Sequence, residues 1–292
     1  MANRRAIVKR RKAVRNIHKI TRTMQLIAMA RFQAAMSRAI ASRPYAQKLA
    51  ELVADLASAG EISHPLMATP SPPTAAMLVL TSDRGLCGGY NAGVLRAAMQ
   101  QLDELAEAGV STDVHMVGKK GLAAFRFRRR PIAEHTSNIG DQPRFEQVEP
   151  IASGLIDRFV AGEIRAVYVV YTRFYSPGKR QPEVMQLLPL ADPAAVADRP
   201  ARQPAYEFLP STEELVDQLL PASVRMRLFQ CFNDAAVSEQ IARMIAMKAA
   251  TEAASDMIKL LTRQYNRARQ THITMELLDI VGGASALSDA AS

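Results

Sequence analysis

Residues 237–275 read VSEQIARMIAMKAATEAASDMIKLLTRQYNRARQTHITM. Val237, Ile241, Met244, Met247, Thr251, Ala254, Ile258, Leu261, Tyr265, Ala268, His272 and Met275 follow one another in steps of three and four, which puts them on one helical face. The small and polar members make this a looser seam than a leucine zipper. With Pro221 as its start or kink, a helix over 223–284 would run roughly 90 Å at 1.5 Å per residue. A helix of that length overhangs any small domain, so the stripe needs a helical partner.

The other end of the chain offers one. Ile17, Ile20, Met24 and Ile27 keep a helical spacing that resumes at Leu49, Val53 and Leu56, and residues 1–62 are read as one N-terminal helix. The simplest burial of both stripes is an antiparallel pair, with 211–287 as the C-terminal member. The alternative, two unrelated helices lying on a sheet, leaves most of their length uncovered. Residues 1–50 hold 13 Lys or Arg and no acid, so the rest carries −4 of the whole chain's +9. A basic, acid-free start also suits a mitochondrial transit peptide, but the helical spacing continues past the usual length of one. No compact apolar stretch follows the charges as a secretory signal requires.

Two proline-rich stretches, 63–76 and 191–204, read as linkers around a block at 75–190. Inside it AAMLVLTS (75–82), STDVHMVG (111–118) and IRAVYVVYT (164–172) are short apolar runs expected of strands covered on both faces. Helical patterns at 92–108, 119–127 and 148–162 alternate with them. FYSPGKRQPEVMQLLPL predicts a turn and an antiparallel edge strand. The fold class expected is α/β: a Rossmann-like, doubly wound domain carrying a long antiparallel coiled coil of the two terminal helices.

The loop after the first strand, TSDRGLCGGYN (81–91), sits where phosphate-binding turns sit. Its glycines are spaced G-x-x-G-G rather than G-x-G-x-x-G, and Asp83 would repel an anion. Neither Gly118-Lys119-Lys120 nor Gly178-Lys179-Arg180 has the leading glycine or closing hydroxyl of a P-loop. The five histidines stand singly, without metal-ligand spacing, and Cys87 and Cys231 are too few for a disulfide framework or a thiolate metal site. Cys87 as a nucleophile lacks a neighbouring base. No catalytic residue, cofactor site or metal site is expected. No apolar run reaches membrane-spanning length. Arg10, Lys12, Lys19 and Arg22 could meet nucleic acid, but stacking aromatics are scarce beside them, Phe32 and Tyr45 being the nearest.

LTSDRGLCGGYN, KITRTMQLIAMARFQAAM, ASRPYA and SEQIARMIAMKAATEAASDMIKLLTRQYNRARQTHITMELLDIVGGA together resemble the gamma subunit of F-type rotary ATP synthases, in the right order from Ile17 to Ala284. The resemblance implies a non-catalytic rotor shaft inside a ring of three alpha and three beta subunits. It further implies an epsilon subunit and a membrane c-ring as partners, with ion-driven rotation cycling the catalytic sites. Its place would be peripheral, on the cytoplasmic face of a bacterial inner membrane, with no cofactor and no nucleic acid.

By motif, the resemblance implies polar contacts to a beta-subunit loop at Met24, Arg243, Gln270 and Thr274. It makes Asp83, Arg84 and Cys87 contact residues in the glycine loop, and Tyr206 and Glu207 contacts of the foot with the c-ring. The basic N-terminal surface would face acidic loops of the beta subunits. MQLIAMARF stands where the family more often has MEMVAASKM, and AASDM departs from its usual small-residue run, which bears on individual helix contacts. The plastid-type cysteine insertion is absent, which argues against thiol control. The rival readings are a Rossmann-type nucleotide enzyme and a basic coiled-coil nucleic-acid protein.

Overall fold

The computed structural model describes residues 4–59, 64–68, 71–137, 139–190 and 212–290. Tyr206, Glu207 and the proline-rich stretch at 191–204 lie outside these residues. In chain order the elements are α1 (Arg4–Ala59), a 3-10 turn (Pro65–Met67), β1 (Thr74–Leu80), α2 (Tyr90–Glu107) and β2 (Ser111–Val117). They continue with α3 (Lys119–Phe127), β3 (Glu134–Thr136), α4 (Phe145–Val160), β4 (Val167–Phe174), β5 (Arg180–Leu188) and α5 (Thr212–Ala290). The chain forms two compact units, 28–243 and 1–27 with 244–292, so both long helices pass from one unit to the other.

In the first unit the strands form one sheet in the order β3-β2-β1-β4-β5. β1 through β4 pair in parallel, and β5 lies antiparallel on β4 as the edge. Every residue of β1 from Ala75 to Leu80 is buried. That follows from helices on both faces, which leave no solvated side for a polar residue to occupy. One face packs Ala75, Met77 and Val79 against α2 and α3 through Val94, Ala98 and Phe125. The other packs Ala76, Leu78 and Leu80 against α4, through Val148, Leu155 and Phe159, and against α5 through Val216, Leu220, Val224 and Leu228.

That last group explains why the helix begins near the expected residue 211 rather than at Pro221. Pro221 neither starts nor ends α5, which begins at Thr212 and runs through it. An interior proline costs about 3 kcal/mol. Four fully buried aliphatic side chains around it, at roughly 1.5–3 kcal/mol each, outweigh that. Likewise Pro44 lies inside α1. β3 was not expected at all: three residues, Glu-His-Thr, carry no apolar run, and they join the sheet by pairing with His115–Val117 of β2.

In the second unit Thr251 Oγ1 donates to Thr21 Oγ1 at 2.9 Å, and the Arg11 guanidinium lies 4.7 Å from the centre of the Tyr265 ring. A lower number on α1 thus meets a higher number on α5, so the two segments are antiparallel. Ile7, Val14, Ala254 and Leu261 form the buried core between them, with Ile258, Tyr265 and Ala268 packed around it. From Thr251 to Ala268 the α5 face is the one read from the period, whereas His272 and Met275, read as its continuation, are exposed. The α1 face is not the one read: Ile17 and Ile20 are 51% and 59% exposed, and Ile27 is also exposed. Ile7, Val14 and Thr21 are buried instead, a strict seven-residue repeat.

Candidate functional site

The glycine loop is built from the end of β1 outward. Thr81 Oγ1 donates to the Val117 carbonyl at 2.7 Å and accepts the Gly121 amide at 2.9 Å. The Ser82 carbonyl accepts the Lys120 amide at 3.0 Å, and Asp83 Oδ1 accepts the Lys119 amide at 3.1 Å. With Leu122 bonded back to Gly118, all four amides that open α3 are satisfied from within the chain. A phosphate cradle needs those donors free. Here the loop's own oxygens occupy three of them and the Gly118 carbonyl the fourth.

Close packing makes two glycines obligatory at this junction. Gly118 has φ +91°, and a Cβ there would run into the Thr81 carbonyl, while a Cβ on Gly121 would strike Met116 Sδ. Gly118→Ala is therefore expected to lower stability by about 2–3 kcal/mol, to be read as a lower denaturant midpoint with unchanged m-value.

The loop then folds around Asn91. Its Oδ1 accepts from the Ser82 amide at 3.0 Å and its Nδ2 donates to Ser82 Oγ at 2.8 Å and Cys87 Sγ at 3.3 Å. Cys87 is thus turned inward and buried, at 2% exposure. Arg84 stays exposed. Leu86, which motif reading passed over, stands out at 58% exposure with φ +64°. A non-glycine residue in the left-handed region carries strain, which sites of contact tend to hold.

What the loop does offer is carbonyls. Arg243 of α5 donates from Nη2 to the Arg84 carbonyl at 3.2 Å and from Nε to the Gly85 carbonyl at 3.4 Å, and its Nη2 pairs with Glu239 Oε1 at 2.7 Å. Arg243 as a whole is only 6% exposed. The glycine loop therefore receives a cation rather than an anion. The structure brings Arg243, Arg84 and Gly85 together and turns Arg243 toward its own loop.

Burial pushes the Glu239 carboxyl up to about 7, with Arg243 pulling it down and Asp141 and Asp83 adding to the rise. The Tyr90 phenol, whose hydroxyl donates to the Ala235 carbonyl at 3.3 Å, is likewise raised, first by burial and then by Glu239. Asp234 is pushed up to about 6, also by burial. A carboxyl whose folded pKa exceeds its unfolded value of 4.5 adds stability that is complete below 4.5 and lost as pH rises through 7. Glu239→Gln is expected to remove this dependence. The gap between variant and native chain should change by up to about 3 kcal/mol from pH 4.5 to 8 in unfolding titrations.

Beside the loop lies a cavity of about 360 Å³, lined among others by Asp83, Arg84, Lys119, Asp141 and Glu239. Its acids are already engaged, Asp83 by Lys119, Glu239 by Arg243 and Asp141 by Arg31 and Gln240. No group of three His, Cys, Asp or Glu among the described residues is arranged to hold a metal ion.

On the other unit, Met24 is half-buried on α1, while Gln270 and Thr274 are exposed one turn apart on α5, with Thr274 Oγ1 donating to the Gln270 carbonyl at 3.0 Å. Met24 lies one turn from Thr21, which meets Thr251. Gln270 is 19 residues further along α5, roughly 28 Å at 1.5 Å per residue. The structure does not gather these three residues into one patch. Arg10, Lys12, Lys19 and Arg22 are all exposed.

A family model described as ATP synthase matches residues 3–287. The ATP synthase gamma chain of Rhodopirellula baltica is 46% identical over 98% of this chain and 99% of its own length. The chain belongs to the ATP synthase gamma-chain family. A second gamma chain, from a Nocardioides species, is 42% identical over 96% of this chain and 94% of its own. The fold agrees with a chain of the Euglena gracilis mitochondrial ATP synthase, seen in an assembly described as OSCP/F1/c-ring. That match has a TM-score of 0.67 at 17% identity and covers 97% of this chain and 94% of that one. As a gamma chain it is a subunit of an ATP synthase complex. Among its described residues no helix is long and apolar enough to cross a membrane.

Proposed function

We propose that this gamma chain is the central rotor shaft of an F-type ATP synthase, carrying no catalytic residue of its own. Ion-driven rotation of a membrane c-ring turns it inside a ring of three alpha and three beta subunits, with an epsilon subunit at its foot. It works on the cytoplasmic face of a bacterial inner membrane. The observation that carries this reading is the antiparallel helix pair with exposed apolar residues. Ile17, Ile20, Leu26 and Ile27 on α1, and Ile273, Met275, Leu277, Leu278, Ile280 and Val281 on α5, all face outward. Apolar exposure on that scale asks for a surrounding protein surface.

Coupling follows from asymmetry. A shaft without threefold symmetry presents a different face to each of three identical catalytic sites, and it biases a site only through contacts that differ between states. Linkage makes this reciprocal, so rotation drives synthesis and hydrolysis drives rotation. Met24, Gln270, Thr274, Asp83 and Arg84 would make these contacts directly. Arg243 and Cys87, both turned inward, would act by holding the glycine loop in shape, and Leu86 joins the contact set. Tyr206 and Glu207 would meet the c-ring.

Cognate alpha and beta subunits, mixed with and without the chain and then sized, test the reading. One complex with one gamma chain per three catalytic subunits and sustained ATP hydrolysis is expected. Failure to co-elute, with turnover unchanged, overturns it, and tight stoichiometric nucleotide binding by the chain alone would restore an enzyme reading.

A further inference from the structure

The connection between β3 and α4 carries one carboxylate with bonds to both long helices. Asp141 Oδ2 pairs with Arg31 Nη1 of α1. Its Oδ1 accepts from Gln240 Nε2 of α5 at 2.8 Å, and its backbone carbonyl accepts from Arg38 Nη2 of α1 at 3.4 Å. Gln240 is completely buried, and Arg31 and Asp141 are partly so. All of these residues lie in one compact unit.

Apart from this carboxylate, the sheet domain meets both helices through apolar contact, at Ala35, Ala39, Phe174 and Val237, with Phe32 and Met36 around them. Apolar burial holds surfaces together but is non-directional, so it resists separation far better than sliding or twisting. A carboxylate with one helix on each oxygen does the opposite. Its charge-assisted bonds are short and directional, and rotation of either helix about its axis breaks them.

We propose that Asp141 is the clasp through which the sheet domain transmits torque to both shaft helices, by holding Arg31 on one carboxylate oxygen and Gln240 on the other. The inference rests on the rotor-shaft reading. Asp141 is a positioning residue that touches no nucleotide. Other polar ties, such as Ser238 Oγ to the Thr172 carbonyl at 3.1 Å and Arg225 Nε to Ser153 Oγ at 3.1 Å, secure α5 alone.

The test uses inverted membrane vesicles carrying the assembled complex. ATP hydrolysis and ion pumping, the latter followed with a dye sensitive to membrane potential, are both normalised to the amount of assembled gamma chain. Asp141→Ala is expected to lower pumping per ATP hydrolysed by about threefold or more, with hydrolysis per complex maintained. Asp141→Asn keeps an acceptor for Gln240 and loses the charge facing Arg31, so it should fall between. An unchanged ratio in Asp141→Ala overturns the clasp. So do hydrolysis and pumping that fall together with the amount of assembled complex, since that is all a folding role would produce. If Asp141→Ala does not assemble, the Asp141→Asn ratio decides, and if neither variant assembles the proposal falls. Native vesicles that hydrolyse ATP and never pump would overturn the shaft reading itself.

Discussion

Arg243→Ala is expected to destabilise the chain by about 3–5 kcal/mol at pH 8, the cost of stranding one member of a buried ion pair. Glu239, left in the protein interior without its partner at 2.7 Å, must then either stay charged or take up a proton. The carbonyls of Arg84 and Gly85 lose their donor at the same time. The loss should shrink toward pH 5. There the Glu239 carboxyl, already raised to about 7, is protonated in the native chain as well, and the ion pair contributes little. Adding Glu239→Gln to Arg243→Ala should recover much of the stability at pH 8. Denaturant titrations of the single and double variants at the two pH values measure all of this, and a loss independent of pH would show that the ion pair is not its source. In the assembled complex the same substitution should alter turnover or coupling through a displaced glycine loop.

A second large effect is expected at the helix seam. Leu261 is 3% exposed in the core formed with Ile7, Val14 and Ala254. Leu261→Asp removes that burial and places a carboxylate in the apolar core between the helices. The cost is roughly 4–6 kcal/mol, enough to open the helix pair. Hydrogen exchange on the whole chain localises the damage: amides of 250–268 should lose protection while those of β1 keep theirs. Ile258→Asp, at a position only half-buried, should do less. Equal protection at 250–268 in the native and Leu261→Asp chains would mean that this face is not the seam.

These two positions also show what could be read without coordinates. Leu261 sits on a period whose members from Val237 to Ala268 are buried or half-buried, long enough for the buried face to be chosen by counting, and only its end at His272 and Met275 is exposed. Apolar counting on α1 found Leu49 and Val53, which are buried, but nearer the N-terminus it selected Ile17, Ile20 and Ile27, which are exposed, over Ile7, Val14 and Thr21, which are buried. The reason is that a shaft has two apolar surfaces, one for its own partner helix and one for the proteins around it. Periodicity measures hydrophobicity on a face and carries no label for which neighbour covers it. Arg243 illustrates the same limit for charge. Its motif marks it as important, while its direction depends on carbonyls 158 and 159 residues away in the chain.

The sequence alone determined the two long helices, strands β1, β2, β4 and β5, helices α2 to α4, and their order. A 3.6-residue period over the terminal segments, short β-rich runs between helical ones and the absence of a phosphate-loop spacing follow from local sterics and side-chain polarity, and those act within a few residues. Only the tertiary structure decided that Pro221 lies inside α5 and that Glu134–Thr136 is a strand. Packing alone, likewise, filled the first amides of α3 with Ser82, Thr81 and Asp83, and put Asp141 within reach of both Arg31 and Gln240. Each of these outcomes is a balance between a local preference and burial or pairing with a distant segment, and that balance exists only once the chain is folded.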